Sequence, residues 1–293
     1  MAEVSVITPF VNARAFLAEA IRSVLAQRHR DWELLLVDDG STDGSLDIAR
    51  DFVRRGEGRI RVIDAAPSRH GAAAARNRGI AAAMGSLVAF LDADDVFLPG
   101  KLEADVAAFS ADPTAACVYR ATRWWFDRVP GRDWTERLGV ALDRTYEPPK
   151  LFIRILMEER GDIPCTCGVM IRKEALDAVG GFEERFALYE DQSLWAKIFL
   201  AYRVRPVSGC HAWYRQHAAS TSALATIQGD YDPFRPHRAR VGWLEWLNAY
   251  AIEKRAGEEV GAAIDAALRE ATNRRRVNVR RKLRRMGRYL PRV

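Results

Sequence analysis

The chain has 293 residues, 48% hydrophobic and 10% aromatic, enough to bury a sizeable core in one large domain or one domain with an extension. No run of 18 apolar residues occurs and the opening MAEVSVITPF has neither a basic stretch nor a cleavage-type segment, so neither a spanning helix nor a signal peptide is expected and the protein is expected to be cytoplasmic. The net charge of +6 belongs to one end: residues 273–293 hold ten Arg or Lys and no acid, leaving 35 basic against 39 acidic residues before them, a net −4.

In chain order, VSVITP (4–9) has the length and composition of a buried strand, and Phe16, Leu17, Ala20, Ile21, Val24 and Leu25 then recur at helical spacing. WELLLV (32–37) is a second such strand, followed by a helical stripe of Leu46, Ala49, Phe52 and Val53. RIRVID and SLVAFLD continue the series, separated by an Ala-rich helix predicted over 72–84. Strands alternating with helices predict an α/β fold, a Rossmann-like and mostly parallel sheet with right-handed crossovers and helices on both faces. Ligands of such sheets sit at the carboxyl ends of the strands.

That rule gathers the acids. The first strand ends in Thr8-Pro9, the second in VDDGSTD with Asp38, Asp39 and Asp43, and the fourth in LDADD with Asp92, Asp94 and Asp95. A turn followed by a helix N-cap accounts for Ser41, Thr42 and Asp43, but not for Asp39 or the triple acid. Crowded carboxylates raise one another's pKa values, and a hard cation such as Mn²⁺ or Mg²⁺ relieves the repulsion while keeping coordination positions for phosphate oxygens. The four cysteines, Cys117, Cys165, Cys167 and Cys210, include one C-x-C and no C-x-x-C, which suits reduced core thiols.

VITPFVN, LLLVDDGSTDGS, GAAAARNRGI and LVAFLDADDVFLP, with GGFEERFALYEDQSLWAKI and WYRQHAASTS further on, resemble in order and spacing the inverting glycosyltransferases of family 2, which have the GT-A fold. The resemblance covers roughly 3–222. It implies a GT-A domain over 1–222, with a nucleotide-binding half to about 110 and an acceptor-side half over 111–222, followed by a helical, basic extension over 223–293. The implied activity is metal-assisted transfer of a sugar from a nucleotide-sugar, UDP-sugar being favoured, to a saccharide or lipid-linked acceptor. The implied roles are nucleotide binding for Thr8, Pro9, Asp39, Arg76 and Asp92, metal binding for Asp94, and general base for Asp191. Glu190, Arg215 and His217 are the implied acceptor or diphosphate contacts. Two residues depart from the family pattern: Val11 replaces an aromatic, and Lys197 stands where Arg is common.

The residues carry weight of their own. Arg76 is a long cation in a helix of small residues. Glu190-Asp191 opens a helix with Leu194, Trp195, Ile198 and Phe199 on one stripe, a place where carboxylates also serve as caps. PVSGCHAWY reads as a strand with His211 inside it, a satisfied core residue, and Trp124, Trp125 and Trp134 read as core or lid packing.

Two rival readings differ in class. LDADDV fits the nucleophile loop of haloacid-dehalogenase-type phosphatases, a Mg²⁺-dependent chemistry, although those enzymes place it on their first strand. The tail could neutralise phosphates in a nucleic-acid-binding protein, against which stands the acidic remainder. In the tail Val279, Leu283, Met286 and Leu290 are spaced as one apolar stripe amid arginines, which predicts an amphipathic basic helix suited to an anionic membrane surface at the inner face. Trp243, Leu247 and Tyr250 upstream suit helix packing or a homo-oligomer contact.

Overall fold

The structure is a computed structural model that describes residues 2–55, 58–65, 71–127, 129, 131–232 and 237–272. The basic segment 273–293, and with it the expected amphipathic helix, lies outside the described residues. The chain divides into two units, Met1–Gln216 and a second beginning at His217.

The first unit opens with β1 (Val4–Phe10), α1 (Leu17–Leu25), β2 (Trp32–Asp38), α2 (Ser45–Arg55), β3 (Ile60–Ile63), α3 (Ala72–Ala82) and β4 (Leu87–Phe90). It continues with β5 (Val96–Phe97), α4 (Lys101–Ala111), β6 (Cys117–Tyr119), β7 (Arg123–Trp125) and β8 (Trp134–Thr135). After a π-helical turn at Phe152–Met157 and a 3-10 turn at Thr166–Gly168 come β9 (Val169–Arg172), α5 (Lys173–Val179), α6 (Glu190–Ala201), β10 (Val204–Pro206) and β11 (Ala212–Arg215).

The main sheet runs β10-β6-β9-β4-β1-β2-β3. All neighbours are parallel except β9, which lies antiparallel to both β4 and β6, so the sheet is mixed but mostly parallel, as the alternation predicts. Every residue of β1 and β2 is buried, as a strand covered on both faces requires. Val4, Val6 and Phe10 of β1 and Leu34 and Leu36 of β2 join a core with Leu17, Ile21 and Val24 of α1, Ala49 of α2, and Leu102 and Phe109 of α4. Ile7 turns the other way, against α3.

That approach explains Gly79. A Cβ there would stand 2.4 Å from Ile7 Cγ2, inside a stiff, fully buried β-branched side chain. In a free helix Gly→Ala gains about 1 kcal/mol. Here Gly79→Ala is expected to lose roughly 1–3 kcal/mol through overpacking, read as a lower denaturant midpoint at unchanged m.

A second sheet, β5-β11-β7-β8, was not anticipated. The stretch read as one strand, PVSGCHAWY, is split: Pro206 closes edge strand β10 of the main sheet, where its missing donor costs nothing, and Ala212 opens β11 of the second. Gly209 at φ +94° turns the chain between them. His211 therefore lies outside any strand, and its Nδ1 has no hydrogen-bond partner among the described residues. The tryptophans pack this sheet: Trp124 stacks on Trp134 with centroids 4.7 Å apart and meets Tyr214 edge-on, while Trp125 leans on Trp213.

In the second unit, α7 (Thr221–Gln228) is capped by Ser220, whose Oγ accepts from Ala223 N. α8 (Arg238–Glu253) buries Trp243, Leu244, Leu247 and Ala251, and α9 (Glu258–Thr272) buries Val260, Ile264, Ala267 and Ala271, each one stripe at helical spacing. Among the described residues no helix is long and apolar enough to cross a membrane.

Candidate active site

Register brings the acids to one edge. Phe10 pairs with Asp38 and Ile7 with Phe90, and Leu91 N donates to Ile7 O at 3.0 Å, so Thr8-Pro9 near the end of β1, Asp38-Asp39 at the end of β2 and the 92–95 turn after β4 come to the same edge of the sheet. Thr8 is buried, and its Oγ1 has no hydrogen-bond partner among the described residues. Asp39 is half-buried; its carboxylate accepts from Gly71 N at 2.6 Å and Arg78 Nη2 at 3.2 Å. Asp43 accepts from Ser45 N and Arg14 N, so it fastens the loop before α2 and keeps the turn role expected of it.

The three acids of LDADD have different environments. Asp92 accepts from Arg76 Nη2 at 2.6 Å and from Thr166 Oγ1 at 3.1 Å. Asp95 is fully buried; burial first, then Asp94 and Asp92, push its carboxyl well above the usual range, against donors from Arg215 N and the Cys167 thiol. Asp94 is half-buried. The crowding is thus met within the protein by a guanidinium on one acid, while burial beside Asp94 and Asp92 pushes the carboxyl of another upward.

Arg76 is 3% exposed, and its other terminal nitrogen donates to Glu190 Oε1 at 3.1 Å. Its guanidinium also lies 5.3 Å from the Phe182 ring centre. One buried cation therefore joins the turn after β4 to the first residue of α6. Removing one side of such a pair typically costs about 3–5 kcal/mol, because a buried charge is left behind. Asp191 follows Glu190, and its Oδ1 accepts from Gln192 N at 2.6 Å. Burial and then Glu190 push its carboxyl up to about 7, opposed by the Gln192 amide and Arg76, with Asp92 adding to the rise. A cleft of about 170 Å³ opens beside Glu190, which lines it with 71–73 and 184–187.

Arg215 turns into the protein. Its Nε donates to Asp94 O at 2.7 Å, its terminal nitrogens reach Asp127 and Glu19, its backbone N–H holds Asp95, and its guanidinium lies over Trp125. His217 opens the second unit, where its carbonyl accepts from Ser220 N. Lys197 is buried and pairs with Glu183 at 2.9 Å. Four site neighbours escaped sequence reading: Thr166 on Asp92, Arg78 on Asp39, and Asn77 and Phe182 beneath α6. The ARNR and GGF stretches holding three of them were visible as motifs, but not their pairing.

A divalent ion is implied by the family resemblance, and the donors suit one that shares its coordination with phosphate oxygens. Asp94 offers a hard carboxylate oxygen at the same sheet edge that carries Thr8, Asp39 and Asp92, and the buried Thr8 Oγ1, unpartnered among the described residues, leaves a polar atom there for a ligand. No group of three or more His, Cys, Asp or Glu able to hold an ion by itself occurs among the described residues.

A parallel 3-2-1-4 strand core with carboxylates converging at its carboxyl edge defines a GT-A-type protein. The glycosyl transferase family 2 profile matches residues 5–180. An uncharacterized glycosyltransferase of Nostoc sp., alr2836, is 32% identical over 231 residues, which cover 76% of this chain and 67% of that protein. TuaG of Bacillus subtilis, named for teichuronic acid biosynthesis, is 47% identical over 100 residues, 34% of this chain and only 39% of TuaG. Among solved structures, S. aureus TarS 1-349 with UDP-GlcNAc superposes at a TM-score of 0.70, 22% identical, over 93% of this chain and 72% of that one. The mannosyltransferase PcManGT of Pyrobaculum calidifontis with GDP-Man and Mn²⁺ superposes at 0.56, 19% identical, over 97% and 79%. These two likenesses are of fold. The chain belongs to glycosyl transferase family 2 and is a glycosyltransferase, which displaces the phosphatase and nucleic-acid readings.

Proposed function

We propose that the protein transfers a hexosyl group from a nucleotide-diphosphate sugar, with UDP-sugar favoured, to an acceptor hydroxyl with inversion, in the assembly of a cell-surface polysaccharide or glycolipid. The observation that carries this reading is the buried guanidinium of Arg76, which ties Asp92 at the sheet edge to the helix that bears Asp191. UDP-GlcNAc in TarS and the teichuronic acid name of TuaG support the donor and acceptor classes.

In this mechanism Asp39 accepts from the base, and Thr8 and Pro9 form the floor beneath the nucleoside. Asp92, oriented by Arg76 and Thr166, receives the ribose hydroxyls. Mn²⁺ or Mg²⁺ bound at Asp94 would stabilise the charge of the departing diphosphate. Asp191 takes the proton of the attacking acceptor hydroxyl at its carboxylate, and Glu190 orients it.

A thermal-shift panel of UDP, GDP, dTDP and CMP, each with and without Mn²⁺, tests the donor class. The expected result is a rise with UDP and Mn²⁺, since saturation at a hundredfold excess over Kd adds about 2.7 kcal/mol to the native state. No shift with any nucleotide would remove the reading, and retention of the donor's anomeric configuration in the product, seen by NMR, would remove inversion.

A further inference from the structure

α6 starts without a side-chain cap, from Tyr189 at φ +71°, and its first turn is held locally by Ser193 Oγ on Glu190 O and Gln192 N on Asp191 Oδ1. The hold that ties this turn to the donor side comes from α3. Arg76 and Asn77 are adjacent there and leave the helix about 100° apart, so they reach two stations on the segment leading into α6. Arg76 takes Glu190 at one end and Asp92 in the donor turn. Asn77 takes the other end: its Nδ2 donates to Phe182 O at 2.9 Å and Glu184 Oε1 at 2.8 Å, and its Oδ1 accepts from Phe182 N at 2.8 Å.

The chain is shaped to admit this grip. Gly181 sits at φ +64°, and a Cβ there would stand 2.4 Å from Asn77 Oδ1, so glycine is needed both for the backbone angle and for the approach. Phe182 is seated edge-on against Phe90 of β4 at 5.2 Å, with the Arg76 guanidinium on its ring. The segment carrying the carboxylate pair is therefore clamped at both ends by two consecutive residues of a donor-side helix.

We infer that Arg76 and Asn77 are positioning residues for transfer: α3 sets the place and the charge surroundings of the Glu190-Asp191 pair relative to the donor carboxylate Asp92. This inference rests on the reading of Asp191 as the base. The charged groups facing Asp191 are Glu190 on its own helix, Arg76 from α3 and Asp92 from the turn after β4, with the Gln192 amide donating to it. Arg76 favours the ionised form and Glu190 opposes it, so removing one or the other moves the proton in opposite directions.

The test is the pH dependence of kcat/KM for Arg76→Gln, Glu190→Gln and Asn77→Ala, with donor Kd and melting temperature measured on each. Arg76→Gln is expected to move the acidic limb to higher pH and Glu190→Gln to lower pH, each by more than about half a unit, a threefold change in acid constant. Asn77→Ala is expected to leave the limb in place, lower kcat at least about tenfold and keep donor Kd within about threefold, the pattern of a displaced reacting group.

Limbs that stay put or move the same way in the two charge variants would overturn the inference, as would an Asn77→Ala loss found equally in donor affinity. If Arg76→Gln does not fold, Glu190→Gln opens the same pair from its other side, and its downward shift decides. Asp191→Asn is run beside them. Turnover retained there removes the base assignment, and that outcome is seen in this variant alone, whatever the other three show.

Discussion

Asp191→Asn is expected to lower turnover about 10²–10⁴-fold, the usual value of a positioned proton acceptor, with donor Kd nearly unchanged. The amide keeps an oxygen for the Gln192 N–H that Asp191 now accepts, so the helix start survives while the proton's destination is lost. Equal loss of affinity and turnover would reassign Asp191 to the fold. The wild-type profile has a definite sign: with the carboxyl pushed up to about 7, kcat/KM should fall about tenfold per unit below that pH and level off above it. Stability runs the other way. A carboxyl whose folded pKa lies above its unfolded value stabilises the native state most while protonated, and that contribution is lost as pH rises from about 4 to about 7. Asp191→Asn should therefore gain melting temperature over wild type, and the gain should grow between pH 5 and pH 7, the expected compromise of a site held ready for chemistry.

Asp94→Asn and chelation should converge on one effect, loss of donor affinity on the order of 10²-fold, because removing a metal ligand costs at least as much as removing its outer support. Asp95→Asn is the internal control. Its carboxyl is buried and already disposed to keep its proton, and an amide oxygen can still accept from Arg215 N, so its metal dependence should stay close to wild type. Undiminished turnover in excess EDTA would sink the metal role, and an Asp95→Asn variant as impaired as Asp94→Asn would sink the division of labour between them.

The alternation over 4–92 was legible because strands buried on both faces read as unbroken apolar runs and each is followed by a helical stripe. Asp39, Arg76 and Asp92 were legible for a different reason: each is a charge that its local structure does not require. The second sheet was not legible. Val96–Phe97 and Trp134–Thr135 are too short to show a period, and β11 finds its partners at Arg123–Trp125, far back in the chain. Nor does a run of acids show which one turns inward; Asp95 differs from Asp94 through contacts made by Arg215, 120 residues away. Thr166 and Asn77 are ordinary polar residues in sequence and acquire meaning only from partners 74 and 105 residues distant.

The chain leaves the main sheet after β6 and comes back beside it as β9: Tyr119 pairs with Val169, and Arg120 N donates to Gly168 O at 3.0 Å. Everything between is, mechanically, the loop of one antiparallel hairpin, pinched shut at its base. Closing such a loop costs only about 0.6 kcal/mol more each time its length doubles, so its size is nearly free. The floor that carries Asp39 and Asp92 is built from strands outside it; the loop reaches that floor's chemistry at its returning end, through Thr166 on Asp92, and near its start, through Asp127 on the Arg215 that holds the 94–95 turn. What limits the stretch from 121 to 163 is instead its seams with the rest of the unit: β7 pairs with β11 and Tyr146 bridges to Val204, so lengthening or trimming is expected to be tolerated between those seams and not across them.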